Sequence, residues 1–196
     1  LREPVVLVGD FDRPNLVYRV LPRHEEAKQV IDVIERHRGE AGIIYCLRRR
    51  DVDSLAEKLR KKGHDAVPYH AGLTTEQRRE AQDRFSSETC DLIVATVAFG
   101  MGIDKRDIRL VAHFDVPGSV ESYYQEVGRA GRDGYPCRGL LLFNYADTRT
   151  QEFFIEGSNP PKSVVEGLYE RIWELSPSAE PIELPTREIA ADLGLK

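Results

Sequence analysis

Short β-branched and apolar runs alternate with amphipathic stretches along most of this chain. Leu16 to Val20 reads as a strand behind the turn-rich stretch Gly9 to Asn15. His24 to Arg36 reads as a helix, with Ala27, Val30, Ile31 and Ile34 at helical spacing. Gly42 to Cys46 is a buried strand. Asp51 to Lys62 is a helix with Val52, Leu55, Ala56 and Leu59 inward, stopped by Gly63. Ala66 to Tyr69 is a strand, and Thr74 to Phe85 a helix that Thr74 and Gln77 open with a capping box. Leu92 to Ala95 and Arg109 to Phe114 are strands. Ser119 caps a helix that runs to about Gly128, and Gly139 to Tyr145 is the last strand. This alternation predicts an α/β fold, a parallel sheet with helices on both faces.

The pattern changes after Glu156. Gly157-Ser158-Asn159-Pro160-Pro161 has the turn chemistry of a linker. Ser163 to Leu175 then makes one amphipathic helix with Val164, Leu168, Ile172 and Leu175 inward. Ser176 to Pro185 is a Pro-rich break, and Thr186 to Leu193 is a short helix with Thr186 as its N-cap. The string TREIAADLG resembles the first helix of a winged-helix unit; a plain amphipathic helix is the alternative. The expected division is a lead-in over 1–15, an α/β domain over 16–156, a linker over 157–162 and a helical appendage over 163–196.

Composition narrows the class. A chain of 196 residues suits one domain with an appendage. Net charge is −5, so no global basic field advertises a polyanion partner. Such a contact has to come from local clusters, of which Arg48-Arg49-Arg50 is one and Lys105-Arg106 another. The 3 cysteines, Cys46, Cys90 and Cys137, are far apart, which argues against a zinc site and against a disulfide scaffold. They fit a reducing cytoplasm. No signal peptide or membrane-length apolar run occurs, so no membrane partner is expected. The chain begins at Leu1 and not Met, so a piece of a longer protein is expected.

The chemistry concentrates in Tyr123 to Gly134, reading YYQEVGRAGRDG. Arg129 and Arg132 are three apart, a spacing that on a helix puts two guanidiniums on one face. Always charged, planar and multi-donor, the guanidinium suits a phosphoryl group. A surface helix end bound to carboxylates or solvent is the bland alternative. No Gly-Lys dipeptide exists, so no phosphate-binding loop of the Lys-Ser/Thr kind is present, and no run of carboxylates after an apolar strand could hold a metal. The chain carries the arginines of a phosphoryl site without its cradle.

In open parallel sheets ligands bind beyond the carboxyl ends of the strands. The expected strand ends there carry Arg48 to Arg50, His70-Ala71-Gly72, Thr96 to Lys105, and Asp115-Val116-Pro117. Each has a plainer reading. His70 is a structural histidine, Thr96 caps a turn, Asp104 pairs with a nearby cation, and Gln125 caps. Three cations at a helix start oppose the macrodipole unless an anion sits there, which favours a phosphate contact for the arginine run.

Taken together, these segments resemble the second RecA-like domain of superfamily-two helicases, specifically the RecQ family. FDRPNLVYRV is similar to the segment joining that family's two motor domains, and GIIYCLRRRDVDSLAEKL to its motif IV. YHAGL is a family hallmark. DLIVATVAFGMGIDKRDIRLVAHFDVP resembles motif V and SVESYYQEVGRAGRDGYP motif VI. The resemblance implies an ATP-dependent DNA helicase moving 3′ to 5′, with ATP and Mg²⁺ held mainly by an absent first lobe, and no zinc site in this chain. By carry-over Arg132 is the arginine finger, Arg129 its partner, and Gln125 a γ-phosphate sensor. Gly102 and Asp104 lie near the ribose and the lobe interface. Thr96, Arg49 and His70 face the DNA backbone. The implied partners are DNA at a single-strand/duplex junction and the first lobe of the same polypeptide, in a bacterial nucleoid rather than a nucleus. The fragment alone is expected to be inactive. An RNA helicase lobe and a non-enzymatic docking module are the alternatives. Arg48 departs from the small polar residue usual before the motif IV arginine, and no cysteine follows Cys137 to build the family's four-cysteine zinc subdomain.

Overall fold

A computed structural model describes residues 12–100, 103–175, 186–192 and 194. They divide into two compact units, 1–147 and 148–196. The first holds a 6-stranded sheet: β1 (Leu16–Pro22), β2 (Ala41–Tyr45), β3 (Ala66–Tyr69), β4 (Leu92–Ala95), β5 (Ile108–His113) and β6 (Cys137–Phe143). Every pairing is parallel, in the order β1-β6-β5-β2-β4-β3. Parallel neighbours need crossovers. These are α1 (Glu26–Glu35), α2 (Arg49–Lys61), α3 (Thr75–Ser86) and α4 (Val120–Val127). Between β4 and β5 the described residues form no helix, and residues 96–100 and 103–107 run as irregular backbone.

Two apolar cores follow from the period-2 alternation of the strands. On one face Val30 and Ile34 of α1 and Val52, Leu55, Ala56 and Leu59 of α2 pack on Ile44, Val94, Leu110, Ala112, Leu140 and Leu142. On the other, Ala81 and Phe85 of α3 and Val127 of α4 pack with Phe99 on Ile43, Ile93, Ala95 and Val111. β2 is buried along its whole length, as a strand covered on both faces must be. Gly63 ends α2 with φ +83°, and the His64 N–H donates to the Leu59 carbonyl. At α3 the capping box is formed in both directions, Gln77 N to Thr74 Oγ1 (3.2 Å) and Thr74 N to Gln77 Oε1 (2.9 Å).

The carboxyl ends of four strands meet along one edge. Cys46 N donates to Ala95 O, Thr96 N to Tyr69 O, and Phe114 N to Tyr45 O. Leu47 N donates to Asp115 Oδ2 at 2.9 Å. The strand order reverses here, since β2 stands between β4 and β5. The turn from α4 to β6 runs to the opposite edge, where Gly131 N donates to Ile108 O at the first residue of β5. Arg109 fastens that turn with both guanidinium nitrogens on the Asp133 carboxylate and lies 5.5 Å over the Tyr135 ring. The Arg109 hydrogen bond pulls the Asp133 carboxyl down to about 2 from its ordinary value of 3.8.

Beyond β6 the structure departs from the expectation. A helix not anticipated in the sequence, α5 (Ala146–Ser158), carries Gly157 and Ser158 inside it, so the linker expected over 157–162 narrows to 159–161. Its start is set by reciprocal bonds, Ala146 N to Asn144 Oδ1 and Asn144 N to Asp147 Oδ2. Asn159 Nδ2 caps its end on Ile155 O at 2.8 Å. The next helix, α6 (Lys162–Leu175), forms where expected, yet Leu168, Ile172 and Leu175 are exposed and no residue of α6 is buried. A stripe buries only where a second apolar surface meets it. The last helix is α7 (Thr186–Asp192). The Pro-rich break at 176–185 lies outside the described residues. Among the described residues no helix is long and apolar enough to cross a membrane.

The first unit's energetics are testable. Leu59→Ala, at a fully buried site, is expected to cost about 2–5 kcal/mol, and Thr74→Ala about 1 kcal/mol; both would lower the urea midpoint without changing its slope. Because the folded-state value of Asp133 is depressed, its pairing stabilises the fold above the unfolded carboxylate's range. That contribution is lost as pH falls from about 4 toward about 2. In Arg109→Ala, carboxyl NMR should find the Asp133 midpoint back in the ordinary carboxylate range; an unmoved midpoint would overturn the pairing.

Candidate functional site

Two groups of side chains gather on the first unit. The first lies along the carboxyl edge. Arg48 is the N-cap of α2 with extended backbone and no side-chain cap, so Arg48, Arg49 and Arg50 crowd an uncapped helix start. All three are exposed. Arg50 meets Asp51 at 3.6 Å. Beside Arg49 runs the bare backbone of Gly72, where a β-carbon would stand 3.3 Å from Arg49 Nη1. His70 fits its plainer reading. Its ring is 5% exposed, Gly72 N donates to Nδ1 (3.1 Å), and Nε2 therefore carries the proton and donates to Asp53 Oδ1 (3.0 Å). Both ring nitrogens are engaged, so in this conformation neither is free for a phosphate. Half-buried Thr96 takes Phe99 N on its carbonyl at 3.0 Å.

The second group holds the arginines. Helix α4 ends at Val127, with Gly128 as its C-cap, so Arg129 and Arg132 lie beyond it and the helical i,i+3 argument does not apply to them. Gly131, at φ +58°, prevents continuation. They are aligned instead by what they grip. Arg129 Nη1 donates to Gly100 O, and Arg132 Nη1 donates to Ile103 O (3.2 Å) and Asp104 Oδ1 (2.9 Å). Both guanidiniums thus close on the β4–β5 crossover, at Gly100, Ile103 and Asp104. Glycine is required at Gly100, where φ is +150° and a β-carbon would stand 2.9 Å from Arg129 Nε and closer to the rest of that guanidinium. Arg129 Nε is buried without a hydrogen-bond partner. Arg132 keeps about a third of its side chain exposed (35%), and Asp104 is open to solvent. Gln125 is exposed on α4. Gly102 lies outside the described residues.

Buried polar groups that the sequence reading missed support the pair from beneath. His113 Nε2 and Glu126 Oε2 meet at 2.6 Å in the core, tying α4 to β5. The His113 ring stacks on Tyr45 and stands edge-on to Tyr123. Burial pushes the Tyr45 hydroxyl up to about 12, so it stays protonated and donates to Phe99 O at 3.1 Å. Glu126, inside an otherwise polar YYQE run, gave no sign of burial in sequence. Lys105, expected in a polyanion-binding cluster, is corrected here. It is 8% exposed, pairs with Asp107 (3.0 Å) and Glu88 (3.5 Å), and lies 5.8 Å over the Phe85 ring. Three neighbours that suit a cation consume it. Among the described residues no group of three His, Cys, Asp or Glu could hold a metal ion.

The two groups are joined by one segment, which begins at Thr96 on the carboxyl edge and ends at Asp104 under Arg132. Residues 25–134 match the helicase conserved C-terminal domain family. The chain is 43% identical over 169 residues to the ATP-dependent DNA helicase RecQ of Pasteurella multocida, covering 86% of this chain and 27% of that protein. It is 44% identical over 152 residues to the RecQ-like DNA helicase BLM of Xenopus laevis, covering 75% of this chain and 11% of that one. The chain therefore spans about a quarter or less of these relatives' lengths. In structure it is similar to a DEAD box protein from Methanococcus jannaschii, at TM-score 0.59 and 26% identity, covering 72% of this chain and 38% of that one. The parallel six-stranded sheet is thus a RecA-like one, and the chain belongs to the helicase conserved C-terminal domain family, on its RecQ branch.

Proposed function

We propose that this chain is the second motor lobe of an ATP-dependent DNA helicase that moves 3′ to 5′ along a single strand. The observation that carries the reading is the convergence of Arg129 and Arg132 on Gly100, Ile103 and Asp104 of the crossover that starts at Thr96. Arg132 is the finger. Its guanidinium is partly exposed and held by a carboxylate and a carbonyl that an incoming γ-phosphate can replace. Charge growing on the phosphoryl oxygens is stabilised by such a donor, and the attacking water needs only position. Arg129 acts chiefly from below, holding Gly100 in place, and Gln125 faces the same nucleotide from α4. Gly102 and Asp104 border the ribose.

The nucleotide fits this chain on one side only. Its arginines suit the γ-phosphate end, and no Gly-Lys dipeptide occurs to build a phosphate-binding loop of the Lys-Ser/Thr kind. In this reading metal and β-phosphate belong to the first lobe of the same polypeptide, and this chain alone is expected to turn over no ATP. Arg49 and Thr96 meet the strand's phosphates, because exposed cations crowd an uncapped helix start where an anion is stabilising. His70 supports that contact by fixing the loop beside Arg49. Closure on ATP and opening after hydrolysis would move Thr96 through the segment that Arg129 and Arg132 grip.

Two measurements test this. In the full-length protein Arg132→Ala should cut DNA-stimulated ATP turnover by about 10³-fold or more, with DNA affinity largely kept; unchanged turnover sinks the finger assignment. Arg49→Ala should weaken single-strand binding regardless of sequence and reduce the slope of log K against log salt by about one phosphate contact. An unaltered slope would remove Arg49 from the interface. Running the same titration with RNA would separate a DNA motor from an RNA helicase lobe.

A further inference from the structure

Arg13 and Asn15 stand just ahead of β1 and have no place in the site described above. Both reach across the sheet edge to the turn that carries the arginine pair. Arg13 Nη2 donates to Ala130 O and Gly131 O, each at 2.9 Å, and Nη1 to Gly128 O at 3.4 Å. Asn15 Nδ2 donates to Gly131 O (2.8 Å) and Tyr135 O (2.9 Å), while its own carbonyl accepts from Cys137 N (2.9 Å). These carbonyls lie between the end of α4 and the start of β6, outside helix and sheet, and of them Gly131 O also accepts from Gly134 N at 3.1 Å. A cation at the carboxyl end of a helix also complements its dipole.

The peptide planes being held matter most. The Gly128 carbonyl belongs to the peptide that precedes Arg129, and the Gly131 carbonyl to the peptide that precedes Arg132. Rotating either plane re-aims the side chain that follows. Glycine at 131 is what allows the approach, since a β-carbon there would stand 2.5 Å from Asn15 Nδ2. We propose that Arg13 and Asn15 are positioning residues for the arginine pair. They set the backbone from which Arg129 and Arg132 project and make the segment leading into the domain part of the phosphoryl-transfer apparatus. The inference rests on the finger reading of Arg132.

The experiment is a mutant cycle in the full-length protein, reading DNA-stimulated ATPase, ATP KM, single-strand affinity and thermal midpoint for Arg13→Gln, Asn15→Ala, Arg132→Ala and the Arg13→Gln/Arg132→Ala double variant. Misplacement of a finger by about 1 Å should lower kcat by about 10- to 10²-fold in Arg13→Gln, with KM and DNA affinity within about twofold. In the double variant the two losses should fall well short of multiplying, because Arg13 acts through a pair of which Arg132 is one member. Arg13→Lys should recover part of the loss, keeping the charge but not the fork that spans three carbonyls. A normal kcat in Arg13→Gln, or a loss that multiplies in the double variant, overturns the proposal. Should Arg13→Gln fail to fold, Asn15→Ala, which keeps the cation, carries the same expectations and the same refutation. A slow Arg132→Ala beside a normal Arg13→Gln sinks this inference alone, whereas a normal Arg132→Ala sinks the finger reading on which it stands.

Discussion

Main-chain carbonyls that no helix or strand supplies with a donor, and guanidiniums that donate to them, hold the working face of this lobe together. The described residues of the β4–β5 crossover run as irregular backbone, and the α4–β6 turn leaves its helix through Gly128 and Gly131. Carbonyls in such segments must find donors elsewhere. Arg129 and Arg132 supply them to Gly100 and Ile103, and Arg13 supplies them to Gly128, Ala130 and Gly131. Arginine suits this duty because one fork serves several acceptors. The same donors are what a phosphate oxygen requires. A site in which arginines are parked on carbonyls is already organised for phosphate and pays little reorganisation on binding.

Glycine placement is the other half of that arrangement. At Gly100 a side chain would occupy the Arg129 guanidinium, and at Gly131 it would collide with Asn15 and Cys137. Both positions also have positive φ. The arginine-glycine alternation of GRAGRDG is therefore a packing pattern between three separate stretches of chain: the lead-in at 13–15, the crossover at 100–104 and the turn at 128–135. Since β1 and β6 are neighbours in register, Leu16 opposite Cys137, the lead-in must arrive beside the turn.

Much of the first unit was legible in the sequence because its signals are local. Apolar periodicity placed α1 and α2 with their buried faces, Thr74 and Gln77 announced α3, and alternation implied the parallel sheet. The convergence of strand ends at the carboxyl edge followed from the general rule for open sheets. What stayed hidden was non-local. The burial of Glu126 depends on His113 of β5, and the fate of Lys105 depends on Phe85, Glu88 and Asp107. The spacing of Arg129 and Arg132 looked helical, but it is Gly131 and the two carbonyl partners that align them. Helix α5 was invisible for the opposite reason: Ala146 to Gln151 buries only Asp147 and so carries no periodicity, although Asn144 and Asp147 did spell a helix start.

The exposed stripe of α6 marks where sequence pattern and burial part company. Val165, Leu168, Tyr169, Ile172 and Trp173 all lie open, with Tyr169 and Trp173 stacked one turn apart at 6.5 Å. Periodicity states what a helix is able to bury; burial itself needs an opposing surface. In the first unit the sheet provides that surface, and on α2 the expected inward residues Val52, Leu55, Ala56 and Leu59 are the buried ones. The arginine turn obeys the same logic with polar groups in place of apolar ones. Its arginines have orientation because the Gly100 and Ile103 carbonyls, 29 positions away, stand opposite them, and its own carbonyls are held by Arg13 and Asn15, more than a hundred positions away, so a motif written in twelve consecutive residues takes its geometry from distant partners.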